Sequence, residues 1–328
     1  MFDYKKINLQ LFAESNTNTT LDSGLSVENK TFYDMTLIDE AQANLVHDQF
    51  AQKRPIPKNG GKKIEFRKFA SLPKALTPLT EGVTPDGKKL SVSSIEAEVA
   101  QYGDYIEQSD VLELTSIDNT IVEATKILGR QAGLTLDTIT RNILHSTTNV
   151  FICPKSDGTV PATEAGMDAT CKLTVDVVKR IVATLRANNA PKINGDYVAI
   201  IHPYVAYDLM SDPEWIDAHK YTTSENIYNG EIGKVAGVRF VETSEALIEE
   251  GGVFSTLFLA DGAYGVTEIT GGGLQTIIKQ KGSAGTADPL DQRSTIGWKA
   301  IKTAEILVDA YMIDCLSKSA FSATAKAN

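Results

Sequence analysis

Long apolar runs are missing from this chain. No uninterrupted stretch approaches the ~20 residues that a bilayer-spanning helix needs, so no membrane partner is expected. The opening residues, MFDYKKINLQLFAE, mix Asp, Lys and Glu with one brief apolar patch and lack the apolar core of a secretory signal. The expectation is a soluble protein made in the cytoplasm. Cysteine is scarce: Cys153, Cys171 and Cys315 are far apart, form no CxxC pair and are odd in number. That excludes a disulfide scaffold and fits a reducing compartment. Positive charge is also in deficit, with 32 Lys plus Arg against 42 Asp plus Glu and a net charge of −10. A nucleic-acid-gripping module needs the opposite balance, because phosphates are neutralised by Lys and Arg. A container that must not hold its polymer tightly does not.

The residues of familiar chemistry are equally thin. There is no GxGxxG, no GxxxxGK[ST] and no GxSxG. Gly230-Glu231-Ile232-Gly233-Lys234 has too short a glycine interval for a phosphate loop and is followed by Val235. The glycines at 271–273 read as a turn. The four histidines, His47, His145, His202 and His219, show neither HExxH nor HxH spacing, and none lies close in sequence to a cysteine. His202, at a strand end before Pro203, reads better as a hydrogen-bonded structural histidine than as a catalytic one. The Glu249-Glu250-Gly251-Gly252 run reads as a solvated turn. No catalytic residue, cofactor or metal ligand is expected.

What is present is the composition of a folded protein, 42% hydrophobic and 23% charged over 328 residues. Residues 1–55 read as an extended arm: the polar run SNTNTTLDSG precedes a weak helical pattern from Leu37 to Phe50. Next comes a Pro- and Gly-broken stretch with seven basic residues, Lys53, Arg54, Lys58, Lys62, Lys63, Arg67 and Lys68. Two readings stand: a solvated linker face, or a contact surface for an acidic neighbouring subunit. From 62 to 108 two alternating runs, through Ile64, Phe66 and Phe69 and through Val92, Ile95 and Val99, flank a turn-rich tip with Pro73, Pro78, Pro85 and Asp86-Gly87. This predicts a long β-hairpin projecting from the body, with too little core of its own to stand alone.

Residues 109–146 carry the strongest helical signal. Ile117, Ile121, Ala124, Leu128, Ala132, Leu136, Ile139 and Ile143 form one stripe, Asp118 and Asn119 are candidate caps, and Gly129 and Gly133 weaken the helix without ending it. A helix follows from Thr174 to Asn188, then the buried strand GDYVAIIHP and two short helices divided at Asp212-Pro213. The strands VAGVRFVET and FSTLFLADGAYGVTEI come next, and the tail reads as long strands returning to the long helix. Without a regular βαβ repeat the class is α+β.

Residues 196–243 are the most specific stretch. A strand ends in His202-Pro203, a helix carries Asp208-Leu209, and then come Pro213-Glu214-Trp215, a Gly-Glu-Ile-Gly turn at 230–233 and a Gly-Val-Arg-Phe strand at 237–240. This order resembles the major capsid proteins of tailed bacteriophages, and Asn8-Leu9-Gln10-Leu11-Phe12-Ala13 is similar to the opening of many phage virion proteins. The resemblance implies the capsid fold named for the Hong Kong 97 phage. Its parts map to an N-terminal arm (1–55), an extended loop (56–108), a peripheral domain with the spine helix (109–171), an axial domain (172–265) and peripheral-domain strands (266–328). It implies self-association into pentamers and hexamers of an icosahedral shell around double-stranded DNA, held without specific binding. A portal protein is a further implied partner, and the virion the implied location. With no large N-terminal extension, a separate scaffolding protein is expected. Candidate contacts between subunits are Arg54, Lys62, Lys63, Arg67, Lys68, Glu81 and Trp215. Trp215 is the hot-spot type, with an ordinary core Trp as the competing reading. An encapsulin-type compartment shell shares the implied fold, and an α+β cytoplasmic enzyme is the rival of a different class.

Overall fold

The computed structural model describes residues 37, 40–41, 45–69, 72, 74–79, 81–84, 86–116, 120–219, 231–283, 288–322 and 325–328. Ile117 and the candidate caps Asp118 and Asn119 lie outside these residues, as do the polar run near the N-terminus and Gly230.

In chain order, β1 (Gln52–Lys53) leads into a hairpin of β2 (Lys63–Phe69) and β3 (Val92–Glu98). After a break at Val99 come β4 (Ala100–Ser109), α1 (Asp110–Thr115), the long α2 (Thr120–Leu144) and the short β5 (Val150–Ile152). The second half runs α3 (Val175–Ala187), β6 (Tyr197–Ile201), α4 (Pro203–Met210), α5 (Pro213–His219), β7 (Glu231–Val235) and β8 (Val238–Glu242). It closes with β9 (Ile248–Glu249), β10 (Val253–Leu259), β11 (Tyr264–Glu268), β12 (Gln275–Lys279), β13 (Arg293–Ile306) and β14 (Met312–Ser317).

Two sheets carry the body. The first has the order β1-β11-β13-β12, with β4 also on β13. The spine helix α2, about 37 Å long at 1.5 Å per residue, lies on it through the predicted stripe. Leu128, Ala132 and Leu136 are buried against Ile296, Trp298 and Ala300 of β13. The orientation is fixed by Gln131, whose amide donates to Asp104 on β4 (2.6 Å) while its oxygen accepts from the Trp298 indole (3.3 Å).

The second sheet has the order β5-β14-β10-β6-β8-β7, with β9 on β10. Its central strands are buried along their full length, and the alternation explains why. Tyr197, Ala199 and Ile201 of β6 join one core with α3, while Val198 and Ile200 face a second core with Leu144, Tyr264 and Ala304. A strand covered on both faces has no polar side to show. α3 is capped by the Thr174 hydroxyl, which accepts from the Val177 amide, and it inserts Val178, Ile181 and Leu185 into the first core. Ala236 and Gly237, both with positive φ (52° and 84°), make the two-residue turn from β7 to β8.

Three expectations are corrected. The return limb of the hairpin is two strands: β3 pairs with β2, and β4 then joins the body sheet along ten residue pairs with β13. Residues 231–233 belong to β7, with a register irregularity at Gly233, and are not a turn. The tail does not all return to the spine, because β14 crosses into the second sheet between β5 and β10. Every residue of MIDCLS is buried, as a central strand requires. The described part of the arm is stitched to the chain's own spine. Leu37 and Ala41 are buried over Gly129 and Gly133, where an added Cβ would meet the Leu37 carbonyl at 2.9 Å and the Ala41 carbonyl at 2.5 Å. Downstream, Asp137 takes the His47 ring and backbone amide, Asp48 takes Lys302 and Thr140, and the Tyr264 hydroxyl donates to the His47 carbonyl.

Candidate assembly surfaces

A segment that stays exposed in the single chain must gain its order elsewhere. Among the described side chains of 57–107, only Phe66, Ala97 and Val99 are buried. The hairpin pairs Lys63 with Glu98 at its root and Phe69 with Val92 at its far end. Phe66 fills the root, against Gly265 of β11, with the Arg54 guanidinium 5.9 Å over its ring.

The predicted basic residues are thus gathered along one limb. Arg54 stands at the root, while Lys62, Lys63 and Arg67 are exposed on or beside β2, which also carries Lys68. They do not form an unpaired positive stripe. Lys63 meets Glu96 across the hairpin (3.4 Å) and Arg67 meets Glu65 two residues away (3.2 Å). Hydrogen bonds from Arg67 and Ser94, with the charge of Arg67, hold the Glu65 carboxyl below its usual range. Exposed pairs of this kind contribute about 0–1 kcal/mol each. They leave the strand free to exchange partners in an assembly. Glu81 is exposed at the tip, beside Gly82 in its positive-φ turn.

The tip also holds what charge-based reading overlooked. Leu72, Leu76, Leu79, Val83 and Leu90 are 52%, 82%, 76%, 62% and 67% exposed. Five large apolar side chains in one turn-rich segment are more than scattered surface hydrophobics. The signal was present in the sequence as apolar residues without any period. A second apolar surface runs along α1, where Val111, Leu112 and Leu114 are exposed. Beside it a groove of about 680 Å³ opens along β4, β12 and β13, with Tyr105, Ile277, Thr295 and Lys299 in its walls. Trp215 is not on any such surface. It is 5% exposed and packs edge-on to Phe240 in the first core of the second sheet, so the core reading holds for it.

One constellation has the residue types of a hydrolase but not its geometry. Ser255, His145 and Asp314 are mutually bonded, yet Ser255 and Asp314 both address the same ring nitrogen, Nδ1, and Ser255 also donates directly to Asp314. A triad needs the serine on the far nitrogen from the carboxylate. All three side chains are buried between β10, β14 and the end of α2. His202 is likewise structural: its ring accepts from the Tyr204 amide at 3.1 Å and caps α4, and burial lowers its pKa. Among the described residues no cluster of His, Cys, Asp and Glu could hold a metal ion, and no helix is long and apolar enough to cross a membrane.

The same architecture occurs in solved phage shells. The capsid of cyanophage P-SCSP1u superposes with a TM-score of 0.64 at 14% identity, covering 84% of this chain and 89% of that one. The capsid of Ralstonia phage GP4 gives 0.63 at 15% identity, covering 86% and 90%. A virus-like particle from Pyrococcus furiosus gives 0.52 at 12% identity, covering 88% and 99%. Comparison with curated proteins yields no match. At these identities the likeness establishes the fold, and the sequence itself supplies the family. Residues 92–311, from the return limb of the hairpin to the short turn just before β14, match the model described as phage capsid protein, and the chain belongs to that family.

Proposed function

We propose that this chain is a major capsid protein, whose identical copies close as pentamers and hexamers into the icosahedral phage head around double-stranded DNA. The observation that carries the reading is the hairpin of 62–98, which buries only Phe66 and Ala97 among its described side chains and whose tip presents five large apolar residues. Burying one such side chain is worth about 1.5–3 kcal/mol, which makes a neighbouring subunit the natural place for it. Head-to-tail contacts of this type close into rings when the rotation permits. Many modest contacts then act together.

In this reading the first sheet with α2 is the peripheral body and the second sheet the axial body. The boundaries shift accordingly: β5 and β14 belong with the axial sheet and β4 with the peripheral one. Arg54, Lys62, Lys63, Arg67, Lys68 and Glu81 are the polar contacts along the bridging hairpin, and the tip leucines are its anchors. The net charge of −10 suits a wall that holds DNA without gripping it. A scaffolding protein directs assembly in the host cytoplasm, a portal protein occupies one vertex, and the finished protein resides in the virion.

Light scattering and negative-stain imaging test this directly. About 60 copies form the smallest icosahedral shell; at 35.5 kDa each this sets a floor of roughly 2.1 MDa. Megadalton spheres, tubes or sheets support the proposal, and a stable monomer or dimer in the presence of scaffolding protein overturns it. The Pyrococcus particle shares the fold, so nucleic-acid content separates a genome container from an encapsulin-type compartment. Particles that hold protein cargo and no DNA favour the compartment.

A further inference from the structure

The three thiols are not equivalent. Cys153 and Cys315 lie 162 residues apart in sequence, yet their Sγ atoms are 3.5 Å from each other and both side chains are fully buried. Cys171 is equally buried, but its Sγ has Asp168 at 3.8 Å as its hydrogen-bonding neighbour. The pair is brought together by β-sheet register. Phe151 of β5 lies opposite Cys315 of β14, and the Cys153 amide continues the ladder by donating to the Leu316 carbonyl at 3.0 Å. Cys153 and Cys315 are therefore diagonal neighbours on one face of adjacent parallel strands.

The place matters as much as the distance. β5 is an edge strand of three residues held to the sheet by its pairing with β14, and Val150 at its start is 48% exposed. It follows directly on the spine helix and begins the link toward α3. Three residue pairs are a weak fastening at the joint between the spine and the second sheet, and an edge so short opens more readily than the strands behind it.

We propose that Cys153 and Cys315 form a redox-controlled staple: a dithiol inside the reducing cell, and a disulfide that locks β5 onto β14 once the protein meets an oxidising solution. The sulfurs must approach from 3.5 Å to a bond of about 2.05 Å, a change within reach of side-chain rotation in neighbouring strands. The chemistry is thiol–disulfide exchange with a small disulfide such as oxidised glutathione. One cysteine thiolate displaces the first glutathione and forms a mixed disulfide. The second thiolate attacks the protein sulfur of that bond and expels the second glutathione. The two thiol protons pass to the released glutathione thiolates, and two electrons leave the cysteine pair. Closure is slow by construction. The hydrogen bond shared with Cys153, burial and nearby negative charge push the Cys315 thiol well up, so exchange waits on opening of the β5 edge.

The test is thiol counting on the full chain. The protein is incubated with excess oxidised glutathione, both at room temperature and a few degrees below its melting point, then acid-quenched, denatured without reductant and alkylated with iodoacetamide. The expected result is one alkylated cysteine, Cys171, in place of three, a Cys153–Cys315 linked peptide, and faster closure at the higher temperature. The linked form melts higher by at least about 5 °C, because the bond closes a very long loop, and dithiothreitol reverses the shift. Cys171→Ser keeps the link, whereas Cys153→Ser and Cys315→Ser each abolish both link and shift. Three alkylatable thiols after the warm incubation, a link through Cys171, or a linked form that melts lower would each overturn the inference.

Discussion

The hairpin of 62–98 and the second sheet follow opposite rules within one chain. In the sheet, β6, β10 and β14 bury every residue and divide their side chains between two cores. In the hairpin, β2 and β3 alternate correctly yet bury only Phe66 and Ala97 among their described side chains, and five large apolar residues of the tip are more than half exposed. The same hydrophobic effect governs both. The difference is the partner: one region is completed by its own chain and the other, in the proposed shell, by a second copy. Substitutions should therefore separate fold from assembly according to the region they strike.

The largest separation is expected from Phe258→Ala. Phe258 is fully buried in the first core, edge-on to Phe240. Truncation leaves a cavity and costs about 3–5 kcal/mol, a large share of the stability of any domain. Chemical denaturation of the subunit should show this loss, with assembly failing only because the subunit unfolds. Leu76→Asp should do the reverse. At 82% exposure the change should move subunit stability by no more than ~0.5 kcal/mol, while light scattering shows shells replaced by small species. Normal shells from this variant would remove the tip from the assembly contact.

Much of this contrast was legible in the sequence, and the reasons differ by element. Periodicity exposed the spine, because a stripe from Ile121 to Ile143 can only be one buried face. It exposed the hairpin too, since two alternating runs around Asp86-Gly87 have few other outcomes. The route of the tail was hidden. β13 alternates and β14 is buried throughout, and local pattern does not say which sheet a strand will join. Trp215 was ambiguous for a related reason: composition marks an aromatic as an anchor without saying whether its pocket lies in its own chain. The docking of the arm was hidden because it depends on two glycines that look like flaws in a helix.

Those glycines give the next test. In a free helix Gly133→Ala should stabilise by nearly 1 kcal/mol through propensity alone. Here the new methyl would stand 2.5 Å from the Ala41 carbonyl. Strain of about 1–3 kcal/mol should outweigh the gain, or the arm should lift from the spine. Either result appears as a lower melting temperature together with faster proteolysis around residues 37–50. A variant that is more stable and no easier to cleave would show that the arm does not rest on the spine in solution.

The smallest effect sharpens the comparison through charge. Glu65 in the open hairpin has its pKa lowered by partners, whereas Glu249 on β9 has its pKa raised to about 7, first by burial, then by a hydrogen bond and like charge from Glu164, and last by the charge of Asp314. An unfolded chain returns Glu249 to its ordinary value of 4.5. Between pH 4.5 and 7 the folded state therefore keeps a proton that the unfolded state has released, and stability falls as pH rises through this window. Below it the penalty is absent; above it the penalty is complete. Because Glu249 is only partly buried, solvent screening reduces the effect to the order of 1 kcal/mol. Glu249→Gln cannot ionise and still offers a hydrogen to Glu164. Its melting temperature should match the wild type near pH 5 and exceed it by a few degrees at pH 8, with the difference growing through neutrality. A difference that stays flat with pH would show that the two carboxyls do not share a proton. The second sheet would then tolerate charge at its β9 edge as readily as the hairpin does.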